Sequence, residues 1–270
     1  MKKNAYLKTV LISAGIIVIL IILTVTGFRI LFTPMEDDSF LPEFVSLQVA
    51  DPSDNESESS KPEDNTQWGQ PLLKNPTPVG EEWFDDAIFI GDSLTEGLSA
   101  YKLLDSDKIV ASTGINPQTI LTKDCIRQSN GSTVTVLHAI ASRNPGKIYV
   151  MLGSNGIAFI PKDKLVELYG EFVDHLKSSH PDSDIFLQSI LPVTHAKEIE
   201  DDRYANKKIN EYNDAIMQMA GEKKVYYVNV AEAIKDETGC LPSNIGSDGI
   251  HFGPSTYNLW LDYLCEHYAE

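Results

Sequence analysis

The residues of this chain that could do chemistry sit in four short segments, each pairing a reactive or donor side chain with glycine. They are Gly91-Asp92-Ser93-Leu94, Ser112-Thr113-Gly114, Gly153-Ser154-Asn155-Gly156 and Asp248-Gly249-Ile250-His251. Ser93 stands where an apolar run gives way to a helical pattern. A serine at such a junction faces backbone N–H groups, and the helix dipole favours the negative charge of a developing oxyanion. The same tetrapeptide also reads as a turn in which Asp92 or Ser93 caps the helix. Gly114 would let the backbone approach a substrate closely, or is an ordinary loop glycine. Asn155 carries an amide that can donate to an oxyanion, or it sits in a glycine-flanked turn. Asp248 and His251 are three apart in a glycine-rich loop. That spacing lets the carboxylate accept from one imidazole nitrogen while the other faces a nucleophile; the bland alternative is a surface turn with a capping aspartate. The remaining histidines (His138, His175, His180, His195 and His267) lack such company and read as surface or core residues.

The elements that must position these segments alternate in type. Short apolar runs at 87–90, 109–111, 147–152, 184–188 and 225–228 read as interior strands. Between them lie helical patterns at 133–141, 162–179, 206–220 and 255–268. The clearest is 162–179, with Leu165, Leu168, Tyr169, Phe172, Val173 and Leu176 at three-and-four spacing. Apolar strands alternating with amphipathic helices indicate a parallel sheet covered on both faces. Ligands of such folds bind beyond the carboxyl ends of the strands, where the polar segments fall.

Taken together and in this order, the four segments closely resemble the SGNH hydrolases, also called the GDSL esterase/lipase family. The matching blocks are Gly-Asp-Ser-Leu at 91–94, the glycine at Gly114, Gly-x-Asn at 153–155 and Asp-x-x-His at 248–251, and the resemblance spans about 84–268. It implies a flavodoxin-like three-layer α/β/α sandwich with a central five-stranded parallel sheet. It implies Ser93 as nucleophile, His251 as general base and then acid, and Asp248 as the orienting carboxylate. The N–H groups of Ser93 and Gly114, with the Asn155 amide, would form the oxyanion hole. No metal or organic cofactor is implied. The Gly-x-Ser-x-Gly elbow of α/β-hydrolases is missing around Ser93, which argues against that other esterase fold. One departure stands out: many family members carry Asp directly after the block-three asparagine, whereas this chain has Gly156. The change is similar to bacterial surface members acting on O-acetyl groups of cell-wall sugars, transferases among them.

Charge divides the 270-residue chain, whose 22 Lys and Arg against 39 Asp and Glu give a net −17. That balance argues against a nucleic-acid partner, because no basic surface is available for phosphates. It also disfavours a polybasic attachment to anionic membranes. Thr9 to Phe28 contains no charge, and 20 residues at ~1.5 Å rise span about one hydrocarbon core. Lys2, Lys3 and Lys8 precede this run, and Arg29 and then acids follow it, so the positive-inside tendency leaves the N-terminus in the cytoplasm and exports the rest. The run is longer than the apolar region of a cleaved signal peptide, and Thr24-Val25-Thr26 is a poor cleavage site. The expected organisation is a cytoplasmic tail at 1–8, a transmembrane anchor at 9–32, an acidic disordered linker at 33–78 and the catalytic domain at 79–270. Cys125, Cys240 and Cys265 form no CxxC pair, which argues against a structural zinc site and assigns no disulfide.

The expected function is therefore an extracytoplasmic, single-pass membrane-anchored serine esterase. The rim segments 155–164 and 192–202 mix Ile157, Phe159 and Ile160 with a strongly charged stretch. They favour a small acyl group on a carbohydrate or cell-wall polymer over a long-chain triglyceride. A glycan O-acetyltransferase and a catalytically silent glycan-binding module are the alternatives. The module has no use for a nucleophile and base together.

Overall fold

The computed structural model describes residues 68–246 and 248–269. The expected transmembrane run, most of the acidic linker and Ser247 lie outside the described residues. Among the described residues no helix is long and apolar enough to cross a membrane.

Five strands, β1 (Ala87–Gly91), β2 (Ile109–Ala111), β3 (Lys147–Met151), β4 (Asp184–Gln188) and β5 (Tyr226–Val228), form one sheet. They are all parallel and run β2-β1-β3-β4-β5. This is a doubly wound order, with its switch point between β1 and β3. The helices are α1 (Ser93–Ala100), α2 (Val136–Ile140), α3 (Lys162–Ser179), α4 (His195–Glu200), α5 (Asn206–Lys223), α6 (Ala231–Ile234) and α7 (Pro254–Glu266).

Both faces of the sheet are buried, which is why its strands read as unbroken apolar runs. Ile88, Ile90, Ile148, Val150, Ile185 and Leu187 face Leu165, Tyr169 and Phe172 of α3 and Ile209 and Ile216 of α5. On the opposite face Phe89, Tyr149 and Phe186 pack with Leu94 and Leu98 of α1 and Tyr257, Trp260 and Leu264 of α7. The parallel register aligns Phe89, Tyr149, Phe186 and Tyr226 in one row across four strands. Their rings stack at 4.8, 4.6 and 5.0 Å. Each such pair adds about 0.5–1.5 kcal/mol beyond its buried area, so the row pins the register of the strands that carry the site.

Three local readings need correction. The helix expected over 133–141 is shorter, because Thr133–Val134 pairs antiparallel with Ile126–Arg127. Thr135 then caps α2 by accepting from the His138 N–H at 3.3 Å. β-branched residues suit the ribbon better than a first helical turn. Residues 68–78, placed by composition in the linker, belong to the domain instead. Pro71 bridges Tyr227, the Leu72 N–H donates to the Tyr227 carbonyl at 2.8 Å, and Trp68 lies 5.2 Å from the Tyr226 ring. The outer edge of β5 has no neighbouring strand in the sheet, and this segment covers it. Finally, Ile157 and Ile160 are core residues, leaving Phe159 as the exposed one of the three.

Candidate active site

The sheet places Ser93 at the first position of α1, one residue beyond Asp92 and two beyond the end of β1. Gly91 is required there: a Cβ would lie 2.0 Å from Thr95 Oγ1 and 2.7 Å from the Met151 carbonyl. Asp92 is extended and caps α1, accepting from the Leu94 N–H at 3.0 Å. The two readings of the tetrapeptide are thus realised by different residues. Asp92 caps, and the Ser93 hydroxyl is left to point at its partner. From the other side of the helix, Tyr257 of α7 donates its hydroxyl to the Leu94 carbonyl at 2.9 Å.

That partner is His251. Its Nε2 lies 2.9 Å from Ser93 Oγ. Its Nδ1 lies 2.6 Å from Asp248 Oδ2. The other carboxylate oxygen accepts from the His251 and Ile250 N–H groups at 2.9 and 3.0 Å. Partial burial pushes the Asp248 carboxyl up, but these hydrogen bonds together outweigh it and hold the pKa at about 2. Asp248 is therefore ionised at neutral pH and favours the imidazole tautomer with its proton on Nδ1. That leaves Nε2 free to accept the serine proton.

The loop carrying both residues is folded tightly on itself. Gly246 has φ +79°, and a Cβ there would lie 1.7 Å from the His251 carbonyl. The Thr194 N–H, at the start of α4, donates to the Gly249 carbonyl at 2.9 Å.

Asn155 follows the end of β3 and donates its amide to Asp92 Oδ2 at 2.9 Å. Ser154 donates its hydroxyl to the same oxygen. Asp92 is thus the hub of the site floor: 1% exposed, it takes three donors from two strand ends. Burial pushes its carboxyl pKa up, against the opposing pull of Ser154, Leu94 and Asn155. The sequence shows Asp92 only as a possible cap; its grip on Asn155 depends on β1 and β3 being neighbours. One Asn155 N–H is engaged by Asp92, and the amide keeps a second. Gly114 lies in an exposed turn after β2 with φ +80°, and its N–H has no partner among the described residues. Thr113 anchors that turn to α1, donating its hydroxyl to Glu96 Oε2 at 2.6 Å.

Gly156 is buried, and a Cβ there would meet Leu165 Cδ1 at 3.0 Å and Ile160 Cδ1 at 3.2 Å. A carboxylate at this position would face apolar packing, so the departure from the family pattern is matched by its surroundings.

All five residues of the expected site lie at carboxyl ends of strands or in the loop before α7. The structure joins Ser93, His251 and Asp248 in one hydrogen-bonded chain and ties Asn155 to the residue before Ser93. Such a chain can deprotonate a hydroxyl for attack on an acyl carbon, and the imidazolium can return the proton to the leaving oxygen.

The sequence profile of the GDSL-like lipase/acylhydrolase family matches residues 89–259. No curated protein matches the chain at a significant level. Among solved structures, a Streptococcus pneumonia protein provisionally named for platelet activating factor is 25% identical, with a TM-score of 0.55 over 66% of this chain and 81% of that one. A GDSL-like lipase from Bacteroides thetaiotaomicron superposes with a TM-score of 0.51 at 17% identity, covering 65% and 83% of the two chains. An acetylxylan esterase from Geobacillus stearothermophilus gives 0.50 at 14% identity, covering 68% and 94%. With its sequence matched over 89–259, the chain belongs to the GDSL-like lipase/acylhydrolase family and is an SGNH-type serine hydrolase.

Proposed function

We propose that the protein removes small acyl groups, acetyl foremost, from a carbohydrate or cell-wall polymer, outside the cytoplasm and held to the membrane by residues 9–32. The observation that carries the chemistry is the chain Ser93–His251–Asp248, at 2.9 and 2.6 Å. In this reading Ser93 Oγ attacks the acyl carbon as His251 Nε2 takes its proton. The N–H groups of Ser93 and Gly114 and the second N–H of Asn155 receive the oxyanion. The imidazolium then protonates the departing sugar oxygen, and water repeats the sequence on the acyl-enzyme.

A polymer substrate is supported by the openness of the site: His251 and Asp248 are about half exposed. Few apolar side chains stand on the rim once Ile157 and Ile160 are seen to be core. Phe159, 63% exposed and four residues beyond Asn155, offers one flat ring of the kind that stacks on sugars. The fold shared with an acetylxylan esterase agrees with this class of substrate. Export is supported by the uncharged run 9–28 and the lysines before it.

The test is purified protein assayed on p-nitrophenyl esters of increasing chain length, acetylated xylan and acetylated peptidoglycan. Acetate release from a polymer, with acetyl esters outrunning octanoyl esters at least tenfold, is the expected result. Preference for long chains overturns the substrate class. Acetyl appearing on an added oligosaccharide rather than in water identifies a transferase. Protease added to intact cells should release the domain, and full protection overturns the topology.

A further inference from the structure

Outside the triad, one cluster of metal-ligating side chains among the described residues is unused by the reaction. His195 and Glu198 lie one turn apart on α4, and Cys240 comes from the loop after α6. One ligand atom from each lies within 4.8 Å of the other two. The geometry points to a zinc site formed by His195, Glu198 and Cys240.

The donor set selects the metal. A thiolate, an imidazole and a carboxylate suit a borderline-soft ion, whereas calcium and magnesium prefer oxygen alone. Zinc bonds of about 2.0–2.3 Å arranged tetrahedrally hold ligand atoms roughly 3.3–3.8 Å apart. Closing from 4.8 Å takes about 1 Å of movement, which the exposed His195 and half-buried Glu198 can supply by rotamer adjustment. Cys240 is buried and fixed, its N–H held by Asp236 at 3.2 Å.

A shared donor stands behind two of these ligands. The Asn206 amide nitrogen, with two N–H groups, faces three acceptors: Glu198 Oε2 at 2.9 Å, the Val193 carbonyl at 2.9 Å and Cys240 Sγ at 3.3 Å. Two of these three acceptors are the proposed ligands, while the Val193 carbonyl also accepts from the Leu241 N–H at 3.0 Å. Asn206 then serves as the outer partner that orients both, the usual arrangement behind a metal. The cluster opens onto a cavity of about 720 Å³ that also touches Asp236 and Ser243, giving an ion a path in and a free coordination position. On binding, the Cys240 thiol proton leaves to solvent as the sulfur–zinc bond forms.

The position gives the ion a consequence. Thr194 caps α4 and donates its N–H to the Gly249 carbonyl at 2.9 Å, and the Leu241 N–H donates to the Val193 carbonyl at 3.0 Å. Zinc would therefore tie the Cys240 segment to α4, whose capping residue Thr194 holds the His251 loop. Pairwise cysteine spacing cannot reveal such a site, because its ligands come from two distant segments.

The test is zinc titration of the full chain after chelator stripping, by calorimetry, alongside cobalt substitution. The expected result is one tight equivalent, weakened at least tenfold in both His195→Ala and Cys240→Ser and unchanged in His251→Ala. Cobalt should give a thiolate charge-transfer band in the wild type that Cys240→Ser lacks. Circular dichroism shows whether each apo variant is folded. The readout is metal affinity and spectrum, independent of any esterase assay. No stoichiometric binding, equal affinity in the two ligand variants and wild type, or loss in His251→Ala overturns the site.

Discussion

The two halves of the candidate active site are built differently. The serine half is part of the sheet. Asp92 and Ser93 follow directly from β1, Asp92 is 1% exposed, and it reaches across to the end of β3. The histidine half is a surface loop before α7, with Asp248 and His251 side chains 52% and 50% exposed. Its shape comes from its own hydrogen bonds and from Thr194. Two aspartates show the contrast: burial raises the pKa of Asp92, while local hydrogen bonds outweigh burial at Asp248 and lower it. Ser93 is thus held by the fold and His251 by a loop. Substitution of the buried Asp92 in the first half should cost stability as well as rate. Substitutions in the second should cost mainly rate.

The largest effect should come from Ser93→Ala and His251→Ala. Each should lower kcat by about 10⁴–10⁶, with the double variant little worse, because the two act as a unit. Melting temperatures should stay near wild type. If either keeps near-normal kcat on an acetyl ester, the assigned chain of proton transfer is wrong. Asp248→Asn should be about 10–100-fold milder than loss of Ser93, since the imidazole remains and solvent reaches its Nδ1 side.

Asn155→Ala should lower kcat by about 10²–10³ with a smaller change in KM, because its free N–H meets charge only as it develops. A change in KM alone would make it a ground-state binding residue. Asp92→Ala sharpens the comparison from the other direction. It strands the Leu94, Ser154 and Asn155 donors. The expected cost is about 1–3 kcal/mol by denaturant unfolding, together with an Asn155-like fall in kcat. Unchanged stability would mean that the serine half is no more rigidly built than the loop.

The smallest effect is the response to acid. Asp248 has a folded pKa of about 2, below its ordinary 3.8. Its contribution is present above pH ~4 and is lost as pH falls towards 2. Asp92 is raised from 3.8, so its contribution has the opposite sign: present below pH ~4 and lost as pH rises through the folded value. Melting temperature measured from pH 2 to 6 should therefore show a shallower acid-side loss in Asp248→Asn than in wild type. Solvent screening of the half-exposed Asp248 keeps the difference small. A steeper loss in that variant would reverse the assigned sign.

Reading the sequence located what depends on local pattern. Helix 162–179 and strands 109–111 and 184–188 match the structure residue for residue, because their apolar periodicity reflects burial directly. The site segments were legible because catalytic side chains at strand ends need glycine beside them for close backbone approach, as Gly91 shows. Less was legible where pairing partners are remote. The ribbon at 126–134 and the strap at 68–78 give weak local signals, and each is settled by an open edge or partner elsewhere.

By itself, then, the sequence determined the class of the fold and the four chemical segments, with Ser93, Asn155, Asp248 and His251 as candidate side chains. These follow from residue type and short-range spacing. Only the tertiary structure decided that Asp92 anchors Asn155, that Gly156 faces Leu165, and that His195, Glu198 and Cys240 share one small volume. Each of these is a contact between segments far apart in the chain. No local periodicity encodes such contacts; they exist once the parallel sheet has fixed which strand ends become neighbours.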